Sequence, residues 1–464
     1  MASVEQARRT RRPKSTTEAP ITLEAHDAAR VHGLRDQVTL WGSLGVSLLI
    51  PATAVFVIQP TEGTALSLPA ALCVVILGSI VGSALLAAAA VTSSATGAPS
   101  MVMLRGLLGR RMSYLPSVLN IAQCFGWAAL EIFVIAAVGS RLTGEHTRLW
   151  WTLGAALVAG ALAVRPLHTA AIVRRYLTWL VIAATAYLLI AVINAGVHMP
   201  ATGSWQLFWP AFDVVVAMPV SWAVLAGDWS RHSRSNRATL IGVGGGYAIA
   251  STVCFIIGVL AVFSSQGLAV EYTASGFLNG LMILPVGALA LIVLAVDELD
   301  EAFANVYSTA ISLQNLQPRI DRRVAAVLIT AAAAVCALLI DIESYETFLL
   351  VIGAVFVPLA AMLVTDWFVV SPLVRSNAHS RITPWQPQRM RWMYVMPWVF
   401  GIFVYSRMSP GAVPGWSQMW SGVAAHTAGL PTLLGSATLT TVVFTAAATV
   451  GVGALHHRIV RPHH

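Results

Sequence analysis

Apolar stretches recur along the whole chain, separated by short polar segments, at 37–58, 67–91, 115–139, 149–165, 176–197, 208–227, 239–263, 279–312, 324–341, 345–370, 392–408 and 430–455. Most approach or exceed the roughly 20 apolar residues that a membrane-crossing helix needs. The pattern predicts an all-α polytopic membrane protein with twelve transmembrane helices. Residues 1–36 are basic and polar and lack the apolar core of a cleavable signal peptide. They are expected to form a disordered tail.

The spacing of the spans suggests a duplication. Five spans fill 37–197 and five more fill 208–370. Five is odd, so the second copy must insert upside down, as in an inverted repeat. The expected organisation is a core over 37–370, then residues 371–464 with a loop, two further helices and a short tail. The first span of each half carries a proline part-way along, Pro51 and Pro219. Proline removes a backbone donor, so each is expected to mark a broken helix whose loose backbone faces a site.

Composition and charge agree with this class. Hydrophobic residues make up 57% of the chain, charged residues 10%, and the mean hydropathy is +0.74. If the N-terminus is cytoplasmic, 25 of the 28 Lys and Arg fall on the inside, with Arg141, Arg148 and Arg407 outside. That asymmetry follows the positive-inside rule. The net charge of +8 therefore reads as orientation, with both termini cytoplasmic, rather than as nucleic-acid binding. The run Arg8–Lys14 reads as part of a solvated tail. The four cysteines lie in apolar spans and form no metal motif, and Gly244–Gly246 is helix-packing glycine rather than a phosphate loop. With no zinc motif, GxSxG or nucleotide loop, an enzyme finds no support.

Chemistry concentrates in three spans. The eighth carries Asp297, Glu298, Asp300 and Glu301 in its middle. Buried carboxylates at membrane depth are costly, so four in five residues point to a binding site or proton path. The competing reading is a helix break with an acidic loop facing solvent. The third span places Asn120, Gln123, Trp127 and Glu131 on one helical stripe. An aromatic plate flanked by an amide and a carboxylate suits a flat heterocycle, although amides that bond neighbouring helices make similar stripes. The sixth span adds Ser221 and Trp222 ahead of Asp228, so two indoles could sandwich a planar ligand. Asp228 and Asp366 near span ends suit ion pairs with arginine-rich loops, and Asp228 with Arg231 suits an inner gate.

The stretch Thr96–Trp127 (TGAPSMVMLRGLLGRRMSYLPSVLNIAQCFGW) resembles the signature region of the nucleobase:cation symporter-1 family, the purine, cytosine and hydantoin permeases. Met218–Arg231, Asn305–Leu316 and Thr365–Val369 continue the resemblance. It implies a five-plus-five inverted-repeat core like that of the leucine transporters, with the first and sixth helices broken and substrate between helices 1, 3, 6 and 8. It also implies that helices 1, 2, 6 and 7 rock against helices 3, 4, 8 and 9. Trp127 falls on the stacking position and Gln123 near the substrate-edge glutamine. Ser221 matches a serine near substrate, Trp222 substitutes for the second stacking position, and Asn305 fits a helix-8 amide. Sodium-coupled relatives use hydroxyl residues at what are here Asp300 and Glu301, with carbonyls around Leu44 and Ser47. The acids, with Asp297 beside them, favour a co-transported proton, with sodium as the alternative. The expected function is import of cytosine, a purine or a related heterocycle across a cell membrane. The alternatives are a hydantoin or pyrimidine vitamin precursor, or an amino acid or amine on the same fold. No organic cofactor, resident metal or nucleic-acid partner is expected.

Overall fold

The computed structural model describes residues 19–23, 29–60, 65–172, 176–197, 203–264, 280–340, 345–374, 384–385, 387–411 and 413–460. The Arg8–Lys14 run and the last four residues lie outside them. Apart from three isolated bridges, the regular structure of the described residues is helical. In chain order the principal helices are α1 (Leu34–Ser43), α2 (Leu49–Ile58), α3 (Leu68–Thr96), α4 (Ser100–Leu108), α5 (Tyr114–Thr143), α6 (Arg148–Val164), α7 (Thr178–Asn194) and α8 (Phe208–Ala223). They continue with α9 (Ala226–Ser230), α10 (Asn236–Val262), α11 (Gly287–Leu316), α12 (Arg322–Leu339), α13 (Tyr345–Thr365), α14 (Val395–Met408), α15 (Trp416–His426) and α16 (Ala437–Val460).

Helices occupy each of the twelve apolar stretches. Among the described residues, seven are long and apolar enough to cross a membrane on their own, and three shorter apolar helices accompany them. The acid-bearing α11 is long enough but too charged to count among the seven.

Two bodies emerge from the packing. Helices α1, α2, α3, α8, α9 and α10 pack on one another, and α5, α6, α11 and α12 pack on one another. No helix of one set packs extensively on a helix of the other. Helix α7 touches both α10 and α11, while α13 joins the first body to α14 and α16. Close approach within the first body needs small residues. A Cβ at Gly82 of α3 would lie 2.4 Å from the Pro219 ring of α8.

The two expected breaks are present, but the prolines do not make them. The first span parts at residues 44–48, ahead of Pro51, which sits in the first turn of α2 where no backbone donor is required. Ser47 Oγ accepts from Leu49 N at 3.1 Å as α2 begins. The sixth span parts at Val224–Leu225, beyond Pro219, which lies inside α8. In the eighth span a short helical turn at 280–283 is separated from the long helix, which starts at Gly287 after the left-handed Val286. From there α11 runs unbroken through all four acids, which excludes an acidic surface loop.

At the other end of the core, Asp213 of α8 caps the last helix. Its Oδ1 accepts from Ser436 Oγ at 2.6 Å and from Thr438 N at 3.0 Å, and its Oδ2 accepts from Ala437 N at 2.7 Å.

The described part of the N-terminal segment is tied to the helices by hydrogen bonds. Arg322 Nε donates to Pro20 O at 3.2 Å, Arg322 N to Ile21 O at 3.0 Å, and Gln314 Nε2 to Ile21 O at 2.6 Å. Val31 N and His32 N both donate to His232 O, and Arg234 N donates to His32 O. The tail's polar backbone thus finds partners on both bodies, which a reading of its composition alone does not reveal.

Candidate functional site

The candidate site lies along the seam between the two bodies and begins where the chain parts between α1 and α2. The resulting loose backbone is capped from α11. Ser43 Oγ donates to Asp297 Oδ1 at 3.2 Å, Ser47 Oγ donates to Glu298 Oε1 at 3.0 Å, and Leu48 N donates to the same Glu298 oxygen. Glu298 therefore serves as an N-terminal cap for α2 supplied by another helix, with a negative charge at the positive end of the helix dipole. Alignment of Asp300 and Glu301 with the sodium-site hydroxyls would place those two opposite Leu44 and Ser47. The hydrogen bonds to the break come instead from Asp297 and Glu298, one turn earlier on α11.

Glu301 is turned toward α5. Asn305 Nδ2 donates to Glu131 Oε1 at 2.9 Å and to the Glu301 carbonyl at 3.2 Å, and the Glu131 and Glu301 carboxyls adjoin. Two ionised carboxylates cannot bond one another, whereas one proton between them makes a hydrogen bond. Asp300 adds a further charge next to Asp297. All five carboxyls are buried, and among the described residues no arginine or lysine faces Glu131, Asp297, Glu298 or Glu301. Nor do three His, Cys, Asp or Glu residues converge as a metal centre requires, among the described residues.

The α5 stripe meets the second break. Gln123 Nε2 donates to Ser221 O at 2.8 Å, so its amide spans the seam to the C-terminal turn of α8. Ser221 Oγ turns back to Met218 O at 2.6 Å. Asn120 Nδ2 donates to Ser312 Oγ at 2.9 Å and thereby ties α5 to α11 within one body. The two indoles have separate aromatic neighbours. Trp127 meets Phe348 of α13 edge-on at 5.3 Å, and Trp222 meets Trp41 of α1 edge-on at 6.1 Å. Both indoles are buried. Several polar atoms along this wall have no hydrogen-bond partner among the described residues, including Gln123 Oε1, Glu131 Oε2, Glu298 Oε2, Glu301 Oε1 and Asn305 Oδ1.

Below the second break the seam closes differently. Asp228 Oδ1 accepts from Ser100 N at 3.0 Å, and Ser100 Oγ accepts from Gly227 N at 2.8 Å. Asp228 thus caps α4 with one oxygen, and Arg231 acts on its carboxyl through charge rather than through a hydrogen bond. Arg231 instead donates to His232 Nε2 at 3.2 Å and, across the seam, to Tyr307 OH at 3.2 Å. Trp229 packs on Phe303 and Tyr307 beside it. Burial, with Arg231, His32 and Arg30 nearby, holds the His232 imidazole well below its ordinary range.

Sequence reasoning did not single out Trp41, Phe348 and Tyr307 as site residues. Their partners here, Trp222, Trp127 and Trp229 with Arg231, come from other helices and leave no local trace.

Residues 25–404 match the family described as the permease for cytosine/purines, uracil, thiamine and allantoin. No curated protein sequence matches the chain. Among solved structures, the inward-facing conformation of Mhp1 is similar over 96% of this chain and 95% of its own, at 14% identity and a TM-score of 0.68. Mhp1 in a closed conformation with bromovinylhydantoin, described as a nucleobase-cation-symport-1 family transporter, covers 94% and 96% at 16% identity and a TM-score of 0.65. A sodium-coupled sialic acid symporter in an outward-open state covers 94% and 91% at 14% identity and a TM-score of 0.58. These likenesses establish the fold.

Proposed function

Because the chain belongs to the family of permeases for cytosine/purines, uracil, thiamine and allantoin, we propose that it imports a planar nitrogenous heterocycle, cytosine or a purine first among them, together with a cation. It is a membrane transport protein, not an enzyme. The observation that carries the reading is the seam. Two helical bodies meet there through a few discrete polar bonds, from Ser43, Ser47 and Leu48 to the α11 acids and from Gln123 to Ser221 O. Such a junction can part and re-form without unpacking either body.

In this reading Trp127 stacks the ring, with Trp222 closing over the other face once the bodies shift. The Gln123 amide and Asn305 read its hydrogen-bonding edge, and Glu131 accepts from an exocyclic amine or ring NH. Ser221 lines the same wall through its carbonyl. The cation occupies the acid cluster beside the α1–α2 break. Leu44, Ser47, Asp297, Asp300 and Glu301 surround it, and Glu298 caps the loose backbone. A proton is the favoured ion, because adjoining Glu131 and Glu301 can hold one between them, and sodium is the alternative. Binding the cation favours the conformation that binds substrate, and linkage makes the coupling reciprocal. Arg231 closes the seam toward the face that carries the N-terminus, assigned as cytoplasmic by its arginines, with Asp228 bracing the α4 turn.

The test is uptake of radiolabelled cytosine into proteoliposomes under an imposed pH gradient and, separately, a sodium gradient. Proton-driven uptake that falls in Trp127→Ala supports the proposal. Uptake driven by sodium alone reassigns the ion. Failure of cytosine, purines and hydantoins alike, with uptake of an amino acid such as leucine, overturns the substrate class.

A further inference from the structure

A composite cleft opens to the outside of the helical core between α1, α7 and α10. Its deep part is a cavity of about 440 Å³ whose walls include Val38, Gly42 and Ser43 of α1, Val181 and Thr185 of α7, and Ile249 of α10. It is almost wholly apolar. Its mouth, on the side where α1 begins, is a separate polar cavity of about 410 Å³ lined by Arg35, Asp36 and Trp179. Thr39, Thr178 and Ile182 border both, so the two are continuous.

Dimensions and charge identify what fits. From Thr178 to Leu189 along α7 the groove runs about 16 Å at 1.5 Å per residue. That is close to half of the ~30 Å hydrocarbon thickness of a bilayer, the depth of one leaflet. At the mouth, the Arg35 guanidinium is exposed and makes no hydrogen bond or ion pair among the described residues. Asp36 lies beside it, one carboxylate oxygen accepting from Gly33 N at 2.9 Å. Trp179 and Tyr176 are 66% and 61% exposed at the same level, as aromatic residues are at a membrane interface. An apolar slot one leaflet deep, opening on adjacent positive and negative groups, complements one kind of molecule.

We propose that this cleft is a binding site for a zwitterionic phospholipid with a primary ammonium, one acyl chain lying in the groove, its phosphate on Arg35 and its ammonium donating to Asp36. Arginine suits the phosphate because its planar fork offers two parallel donors. The lipid braces α1 between α7 and α10. Ser43, on the groove wall, is the residue whose hydroxyl donates to Asp297 across the seam. An occupied groove therefore holds the first half-helix against the acid cluster, and an empty one frees it to swing.

The full chain, purified in detergent, is tested by native mass spectrometry with added phosphatidylethanolamine or phosphatidylcholine. Phosphatidylethanolamine is expected to be retained in preference to phosphatidylcholine. Arg35→Gln removes the phosphate partner and Ala186→Phe fills the groove from its lipid-facing side. Each is expected to lower retention roughly tenfold, the scale of one charge-assisted hydrogen bond or one excluded chain. Leu157→Phe on α6, on a different lipid-facing surface, is expected to leave retention unchanged and controls for general damage. Equal retention of the two lipids, or unchanged retention in either groove variant, overturns the proposal and makes the cleft an annular lipid contact only.

Discussion

The seam and the N-terminal face both bury charge, in opposite ways. At the seam, five buried carboxyls gather; among the described residues no arginine or lysine faces Glu131, Asp297, Glu298 or Glu301, and several of their oxygens have no hydrogen-bond partner. At the N-terminal face, arginines spend their donors on backbone carbonyls. Arg322 reaches Pro20 O, Ala19 O and Ala163 O and lies over the Tyr307 ring at 5.3 Å. Arg105 holds Asn315 through side chain and carbonyl, and Arg391 holds Gly106 O while lying over Tyr394. A buried charge whose donors are satisfied cements its surroundings, whereas a buried charge left open costs stability that only a ligand or ion can repay. The two regions therefore divide along the line between holding the molecule together and operating it.

Substitutions can break or sharpen that division. The largest effect is expected from Glu301→Gln, which should abolish cation-driven uptake in proteoliposomes while leaving the thermal unfolding midpoint unchanged or slightly raised. A matching loss of stability would make Glu301 structural and erase the contrast. Trp127→Ala comes next, since stacking of a base on an aromatic ring is worth about 1–3 kcal/mol, or roughly 10–100-fold in half-saturating substrate. Saturation curves measure it, with the unfolding midpoint again as the control. Arg322→Ala should show the reverse pairing. Losing charge-assisted bonds to the tail should cost about 1.5–3 kcal/mol of stability in denaturant titrations, with substrate affinity retained by the folded fraction. The smallest effect concerns His232. Its imidazole is held below the ordinary value of 6.5, so it stays neutral in the folded protein where the unfolded chain takes up a proton. Its stabilising contribution is present above about 6.5 and declines as pH falls below that value. Unfolding midpoints measured at about pH 7.5 and about pH 5.5 should differ more in the wild type than in His232→Asn.

Much of the fold was legible because a membrane helix must be apolar over its whole length, and runs of that length are visible without any partner. The α5 stripe was legible for a related reason. Asn120, Gln123, Trp127 and Glu131 repeat at helical spacing in apolar surroundings, and the structure buries all four. The breaks were anticipated in the right spans but attributed to Pro51 and Pro219, since proline is the one residue that advertises a lost donor. Their actual positions depend on caps from elsewhere: Glu298 meets Leu48 N from 250 residues away. Such partners leave no local trace. The same holds for the described part of the tail, whose backbone meets Arg322 and Gln314, and for Asp228, whose carboxylate meets the α4 turn.

The Asp213 clamp bears on how this architecture is inherited. Among the described residues its carboxylate, inside the sixth span, takes its hydrogen bonds from the start of the last helix. A gene shortened before Ser436 would leave a charge stranded within the core, so the C-terminal helices cannot be shed as a dispensable appendage. A lineage that lost them would have to exchange Asp213 for a neutral residue in the same step. That makes position 213 a marker of whether a shorter descendant is a working simplification or a fragment.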